Sequence, residues 1–419
     1  MSIALLQPIP PAFVLTVGIV MGGVSPEHEV SVISSLQAAH ALDRTQYHPV
    51  PIYIAKDGSW YTGDVLMDTE AYQDLDALRT QATPVWLDGS RYRQLVLRPE
   101  HTSRWSAPPE PITIDVLLLG LHGGPGEDGS LQGLCEAFNV PYTGSGVFGS
   151  ALGMDKVLSK MICRDQDIPV VDFVAFRESD WGGEEEAWMD RVEEQLGYPV
   201  IVKPARLGSS IGIAKADDRD ELDHAIEDAF RYDEKIVIEQ AVQNLREINC
   251  SVLGDPQEAV ASVLEQPIPT DTEEVLSFTD KYQRGGSSSK ARGLKQGQGG
   301  DRGMASLDRL IPAPLSDEQT AYIRDLGVRI FKTFECAGVA RIDFMIDDGT
   351  GQVYFNEINT IPGSFSFYLW EPTGIPFAEL THRLVQTALR RHEAKNGRVR
   401  TYDTNLLSER SLGGLKGKG

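Results

Sequence analysis

The chain has 419 residues, 41% hydrophobic and 24% charged, ordinary proportions for a globular protein and too much length for one core, so roughly two to three domains are expected. A formal net charge of −22 excludes a broad nucleic-acid surface, which needs clustered Lys and Arg, while leaving room for small anions held by local lysines and helix N-termini. Cys135, Cys163, Cys250 and Cys336 lack zinc or disulfide spacing, the N-terminus has no basic leader segment, and no apolar run reaches the roughly 20 residues of a membrane span, so buried thiols and a cytoplasmic chain are expected.

In chain order, VLTVGIVM (14–21), HPVPIYI (48–54) and DVLLLGLH (115–122) are apolar runs of strand length. Between the first two, Ser25 and Pro26 suit the cap and first position of a helix. Residues 1–144 therefore read as an N-terminal α/β domain around a mostly parallel sheet, with the topology of 55–111 left open. A helical pattern over 150–166 opens a second unit, 145–242, whose short strands include IVKP and KIVIEQ. A third, 243–395, contains a Gly/Lys/Arg-rich stretch at 289–304 that reads as a mobile loop, and 396–419 forms a tail.

Several segments carry chemistry. GSGVFG (144–149) satisfies GxGxxG, but it does not follow the first strand of a βαβ unit, so a domain junction is expected there and a nicotinamide site is the weaker reading. In IVKPARLGSSIGI (201–213), Lys203 ends a strand before a loop of small residues, Gly208, Ser209 and Ser210, whose backbone N–H groups can approach a triphosphate. Lys156 would add a second cation, and Glu239 and Glu247 flank a bend where an acid could accept hydrogen bonds from a nucleoside. LHGGPGEDGSLQG (121–133) leaves a strand through a glycine-rich turn, where His122, Glu127 and Asp128 could contact substrate or cap the next helix. Finally, GVARIDFMIDDGTGQVYFNEINTIPG reads as two strands pairing antiparallel about Thr350. That register sets Asp343 opposite Glu357 and Arg341 opposite Asn359, converging carboxylates that a divalent cation would neutralise.

Together GGVSPEHEVS, LHGGPGEDGSLQG, PYTGSGVFGSALGMDK, VKPARLGSSIGI, the DKY at 280–282, ARIDF and NEINTIPG resemble, in order, the D-alanine–D-alanine ligase family of ATP-grasp enzymes. The resemblance implies an α/β three-domain ATP-grasp fold that joins two D-alanines through an acyl phosphate for peptidoglycan synthesis. By that likeness Lys156, Lys203 and Ser210 bind ATP phosphates, and Glu239 and Glu247 address adenine and ribose. Asp343, Glu357 and Asn359 would hold two Mg²⁺ (or Mn²⁺) ions. Glu27 would take the first ammonium and group with Ser209 and Tyr282, while Arg341 and the Gly363 N–H would form an oxyanion hole. His122, Ser366, Tyr368 and Leu369 would meet substrate. Tyr368 stands where better-known relatives carry a small hydroxyl residue, which leaves D-serine or D-lactate open as second substrate. A non-catalytic nucleotide-binding scaffold is the alternative from another class. D-alanine and ATP are the expected partners, with no nucleic acid or membrane, and a homodimer is the expected assembly.

Overall fold

The computed structural model describes residues 14–91, 94–100, 109–268 and 309–403. The first layer begins with β1 (Leu15–Gly22), α1 (His28–Ala41), β2 (Tyr47–Ile54) and β3 (Trp60–Thr62). It continues through α2 (Leu75–Gln81), β4 (Thr83–Arg91), β5 (Gln94–Pro99), β6 (Ile112–Ile114), β7 (Val116–Leu119) and α3 (Ser130–Phe138). The sheet order is β6-β5-β4-β3-β2-β1-β7. Only β2, β1 and β7 run parallel; β3 to β6 extend the sheet antiparallel. The expected parallel sheet is thus confined to three strands. Physically, the links from β2 to β3 and from β4 to β5 are too short for the crossover that parallel pairing requires. Burial follows suit: β7 is buried throughout, whereas β5 alternates.

The expected single helix over 150–166 is two, α4 (Val147–Met154) and α5 (Lys156–Asp165). Asp155 breaks them with extended backbone and caps the second, its Oδ1 accepting from the N–H groups of Val157 and Leu158 at 3.0 Å each. Then follow β8 (Phe173–Arg177), α6 (Glu178–Trp181), α7 (Glu185–Gln195), β9 (Val200–Pro204), β10 (Ala214–Ala216), α8 (Arg219–Phe230) and β11 (Lys235–Gln240). Their antiparallel sheet has the order β10-β9-β11-β8.

The third sheet, ordered β14-β13-β12-β15-β16, is built from β12 (Leu245–Gly254), β13 (Ala259–Pro267), β14 (Arg309–Leu310), β15 (Gly338–Asp347) and β16 (Gln352–Asn359). Helices α9 (Asp317–Thr333), α10 (Phe367–Trp370) and α11 (Phe377–Asn396) complete it.

Packing does not follow chain order. Although α4 and α5 precede the second sheet, Leu152 and Cys163 join the core of the third, with Ile342, Phe344 and Phe355. Likewise α11 buries Leu380, Leu384 and Val385 in the core of the first sheet. Gly149, the last glycine of GSGVFG, serves this packing: a Cβ there would lie 2.7 Å from the Phe334 carbonyl oxygen. All four cysteines are buried free thiols. Past α11, Arg400 donates to Asn139 Oδ1 at 2.6 Å, so the start of the expected tail is tied to the first layer. No helix among the described residues is long and apolar enough to cross a membrane.

Candidate active site

Strands β15 and β16 pair as the sequence predicts at the end away from their turn: Arg341 faces Asn359 and Asp343 faces Glu357. Nearer the turn the register shifts by one, with Phe344 opposite Phe355, so Asn356 is an extra residue in a β-bulge. Arg341 grips Asp343 with two hydrogen bonds, Nε to Oδ1 at 2.7 Å and Nη2 to Oδ2 at 2.8 Å. Asn359 Nδ2 adds a third at 3.1 Å. Burial works against the Arg341 charge, yet the adjacent Asp343 carboxylate holds its pKa well above the ordinary range.

Opposite this acidic face stand lysines. Lys156, the first residue of α5, donates to the Leu207 carbonyl at 2.5 Å and pairs with Glu357 Oε2 at 3.1 Å. Lys203, near the end of β9, donates to Glu239 Oε2 at 2.8 Å and to Asn356 Oδ1 at 3.2 Å. A third cation, Lys160, escaped the sequence reading. It is fully buried one turn along α5 from Lys156 and pairs with Glu239 Oε1 at 3.1 Å. Burial alone would raise the Glu239 pKa, but Lys160 and Lys203 bring it below the usual carboxylate value. Glu239, expected at a nucleoside, lines the cleft and is only 2% exposed, with both oxygens facing lysines. The cleft between the second and third sheets is lined by Lys203, Ser210, Glu247, Arg341, Asp343 and Glu357, among others. It encloses about 1120 Å³, open mouth included, enough for a nucleotide.

Glu27 stands at the start of α1, which begins two residues later than expected. Ser25 and Pro26 form a turn instead, in which Ser25 Oγ accepts from the Glu27 N–H at 3.1 Å. Across the cleft, Ser209 Oγ donates to Glu27 Oε1. Ser209 and Ser210 both hold left-handed backbone, with φ of 55° and 58°, which turns the loop toward α1. Tyr282, expected to complete this group, lies outside the described residues, as does the glycine-rich stretch at 289–304.

Two buried groups tie the first layer to the chain leaving β16. His122 Nε2 lies 3.0 Å from Ser34 Oγ, which also accepts from the Ser364 N–H at 2.8 Å. Burial pushes the His122 pKa down to about 4. Glu127 accepts from the N–H groups of Gly123 and Ile361, each at 3.1 Å. Burial and then nearby Glu27 push its pKa up to about 7. Hence Glu127 braces the loop.

Beyond Gly363 the chain holds three successive left-handed residues, Ser364, Phe365 and Ser366, with φ of 51°, 52° and 51°. Such strain persists only where surrounding contacts impose it, and it often marks a ligand site. The Ser366 and Tyr368 hydroxyls are buried and have no hydrogen-bond partner among the described residues. Leu369, third residue of α10, is also fully buried. The Tyr368 ring is covered by Arg309, whose guanidinium carbon is 4.1 Å from the ring centroid. Burial, then Glu265, push the Tyr368 pKa up to about 12.

Hard oxygen donors from Asp343 on β15 and from Glu357 and Asn359 on β16 suit Mg²⁺ or Mn²⁺. Among the described residues no group of three His, Cys, Asp or Glu side chains is arranged to hold a metal ion by itself.

Family models for the D-ala D-ala ligase N-terminus and C-terminus match residues 16–145, and 162–296 with 301–386. A D-alanine–D-alanine ligase of Thermosipho melanesiensis is 36% identical over 393 residues, 94% of this chain and 98% of that one. One from Heliobacterium modesticaldum is 38% identical over 390 residues, 91% and 96% of the two chains. Among solved structures, the D-alanine–D-alanine ligase from Coxiella burnetii superposes with a TM-score of 0.72 at 28% identity, covering 92% of this chain and 96% of that one. The VanG D-Ala:D-Ser ligase from Enterococcus faecalis gives 0.71 at 27%, covering 90% and 100%.

Proposed function

Because this chain belongs to the D-alanine–D-alanine ligase family and is an ATP-dependent ligase, we propose that it condenses two D-alanines in the cytoplasm for peptidoglycan precursor synthesis. The observation that carries this reading is the pairing of walls. Lys203 lines one cleft with Asp343, Glu357 and Arg341, while Lys156 pairs with Glu357 and Asn359 donates to Asp343.

ATP lies between the two sheets, where Lys156, Lys203 and Ser210 neutralise and bind its phosphates and Glu247 takes ribose hydroxyls. Glu27 holds the ammonium of the first D-alanine and, with Ser209 and Tyr282, closes the site. The first carboxylate attacks the γ-phosphorus, the bond to the β–γ bridging oxygen breaks, and ADP leaves. Asp343, Glu357 and Asn359 would hold two Mg²⁺ or Mn²⁺ ions, whose charge offsets that of the transferring phosphoryl group. The amine of the second D-alanine, having shed a proton, attacks the acyl carbon. Arg341 and the Gly363 N–H donate to the tetrahedral oxyanion, and inorganic phosphate departs as the carbonyl reforms. Neutral His122 and the Glu127 carboxyl keep the loop from Thr360 to Ser364 in place. Ser366 and the Leu369 N–H take the second carboxylate, with Tyr368 turned under Arg309.

The test is phosphate release from ATP as D-alanine is titrated, with mass spectrometry of the product. D-alanyl-D-alanine is expected. Absence of D-alanine-dependent phosphate release refutes ligase activity, whereas a mixed product with D-serine or D-lactate, in competition with D-alanine, refutes only the second-substrate assignment.

A further inference from the structure

Burying a lysine ammonium completely is unfavourable unless its partners restore what water gave. For Lys160 the partners come from two elements. Glu239 Oε1, on β11, lies at 3.1 Å, and on β16 the carbonyl oxygens of Asn356 and Phe355 lie at 2.9 and 3.5 Å. The Phe355 ring centroid is 5.7 Å from the ammonium. An apolar side chain would fill the same space without a desolvation cost, so packing does not account for a lysine here.

Both elements lead directly to the cleft. Glu239 holds Lys203, and Asn356 is the bulge residue that also receives Lys203. The bulge is what sets Glu357 opposite Asp343 despite the shifted pairing nearer the turn. Lys160, Glu239 and Lys203 together carry one net positive charge. Remove Lys160, and Glu239 cancels Lys203.

We propose that Lys160 is a positioning residue for the nucleotide. It neutralises Glu239 so that Lys203 keeps its charge for phosphate, and it clamps the Asn356 carbonyl so that the bulge holds Glu357 in register. The proposal rests on the reading of this cleft as the ATP site.

Full-length wild type, Lys160→Met, Glu239→Gln and the double variant form a cycle read by ATP calorimetry, by the KM of each substrate and by circular dichroism. Lys160→Met is expected to weaken ATP binding about 10- to 100-fold while the KM of D-alanine changes less than about twofold. Adding Glu239→Gln should recover most of the lost affinity, because a neutral Gln no longer cancels Lys203. A structural lysine would instead give a lower melting temperature with wild-type ATP affinity, and that result overturns the proposal. So does a double variant as weak as Lys160→Met alone. If Lys160→Met fails to fold, Lys160→Gln, which keeps a donor for Asn356 but no charge, takes its place in the same cycle. Wild type that binds no ATP would refute the underlying site assignment, and this inference with it.

Discussion

The two walls of the cleft solve the same electrostatic problem by different means. On the hairpin, carboxylates and the arginine that compensates them belong to one pair of strands, so a two-residue period and a pairing register place them. On the opposite wall, Lys156 and Lys160 come from a helix, Lys203 and Glu239 from two sheet strands, and the bulge residue Asn356 reaches over from the hairpin. The acidic wall is local chemistry; the basic wall is made by tertiary packing. A perturbation of the first should act on the reacting phosphoryl group, and one of the second on nucleotide affinity.

The largest effect should come from the acidic wall. Glu357→Gln removes a carboxylate that both pairs with Lys156 and is the expected metal ligand, while its side chain is 20% exposed and not part of a core. Turnover is expected to fall about 10²- to 10³-fold with an unchanged circular dichroism spectrum. Wild-type turnover at ordinary Mg²⁺ would remove Glu357 from the site.

Next in size is a pH effect where the acidic wall meets the first layer. Glu127, with an ordinary pKa of 4.5 raised to about 7, keeps a proton in the folded state that the unfolded chain has lost, so its contribution makes stability fall as pH rises between these values. His122, lowered from 6.5 to about 4, does the reverse: the unfolded chain binds the extra proton, and stability rises over that window. Each amounts to roughly 3 kcal/mol, from about 1.4 kcal/mol per unit. From these two groups alone, the wild type should be nearly flat between about pH 4.5 and 6.5. Glu127→Gln should rise across the same range in urea denaturation; parallel curves for the two proteins would place Glu127 in contact with water.

A smaller effect is expected on the basic wall. Lys203→Ala leaves Glu239 with Lys160 as its remaining lysine partner and takes a charge from the phosphates. ATP affinity should drop about 10- to 100-fold by calorimetry. Unchanged affinity would make the two walls alike in carrying no nucleotide charge.

The contrast between the walls also explains what sequence could yield. Asp343, Glu357, Arg341 and Asn359 were legible because strand pairing is arithmetic on residue numbers, and even the bulge left their register intact. Lys160 was not, since a lysine one turn after another on an amphipathic helix reads as solvated. Its burial depends on α5 packing against β16, which no local pattern encodes. The parallel strands β1, β2 and β7 were visible as continuous apolar runs, whereas β3 to β6, with mixed polarity, were not. Likewise, Asp155 as a helix cap inside a helical pattern was hidden by the good helix-forming residues on both sides.

The smallest effect concerns Tyr368, which belongs to neither wall. Its ring is held by Arg309, and phenylalanine would keep that contact while losing only the hydroxyl. Ser366, like Tyr368, has a buried hydroxyl without a hydrogen-bond partner among the described residues, but it alone of the two sits on a backbone forced into the left-handed region, as expected of a group kept for a ligand. If Ser366 and the Leu369 N–H hold the second carboxylate, Tyr368→Phe should change the KM of the second D-alanine by less than about twofold, below about 0.4 kcal/mol. Ser366→Ala should raise it about 10- to 100-fold, the loss of a hydrogen bond to a charged group. The two variants therefore separate a phenol that donates to substrate from one that fills space. A Tyr368→Phe enzyme with a strongly raised second KM, or one that gains D-serine or D-lactate as acceptor, would move the carboxylate contact to the phenol and reopen the choice of second substrate.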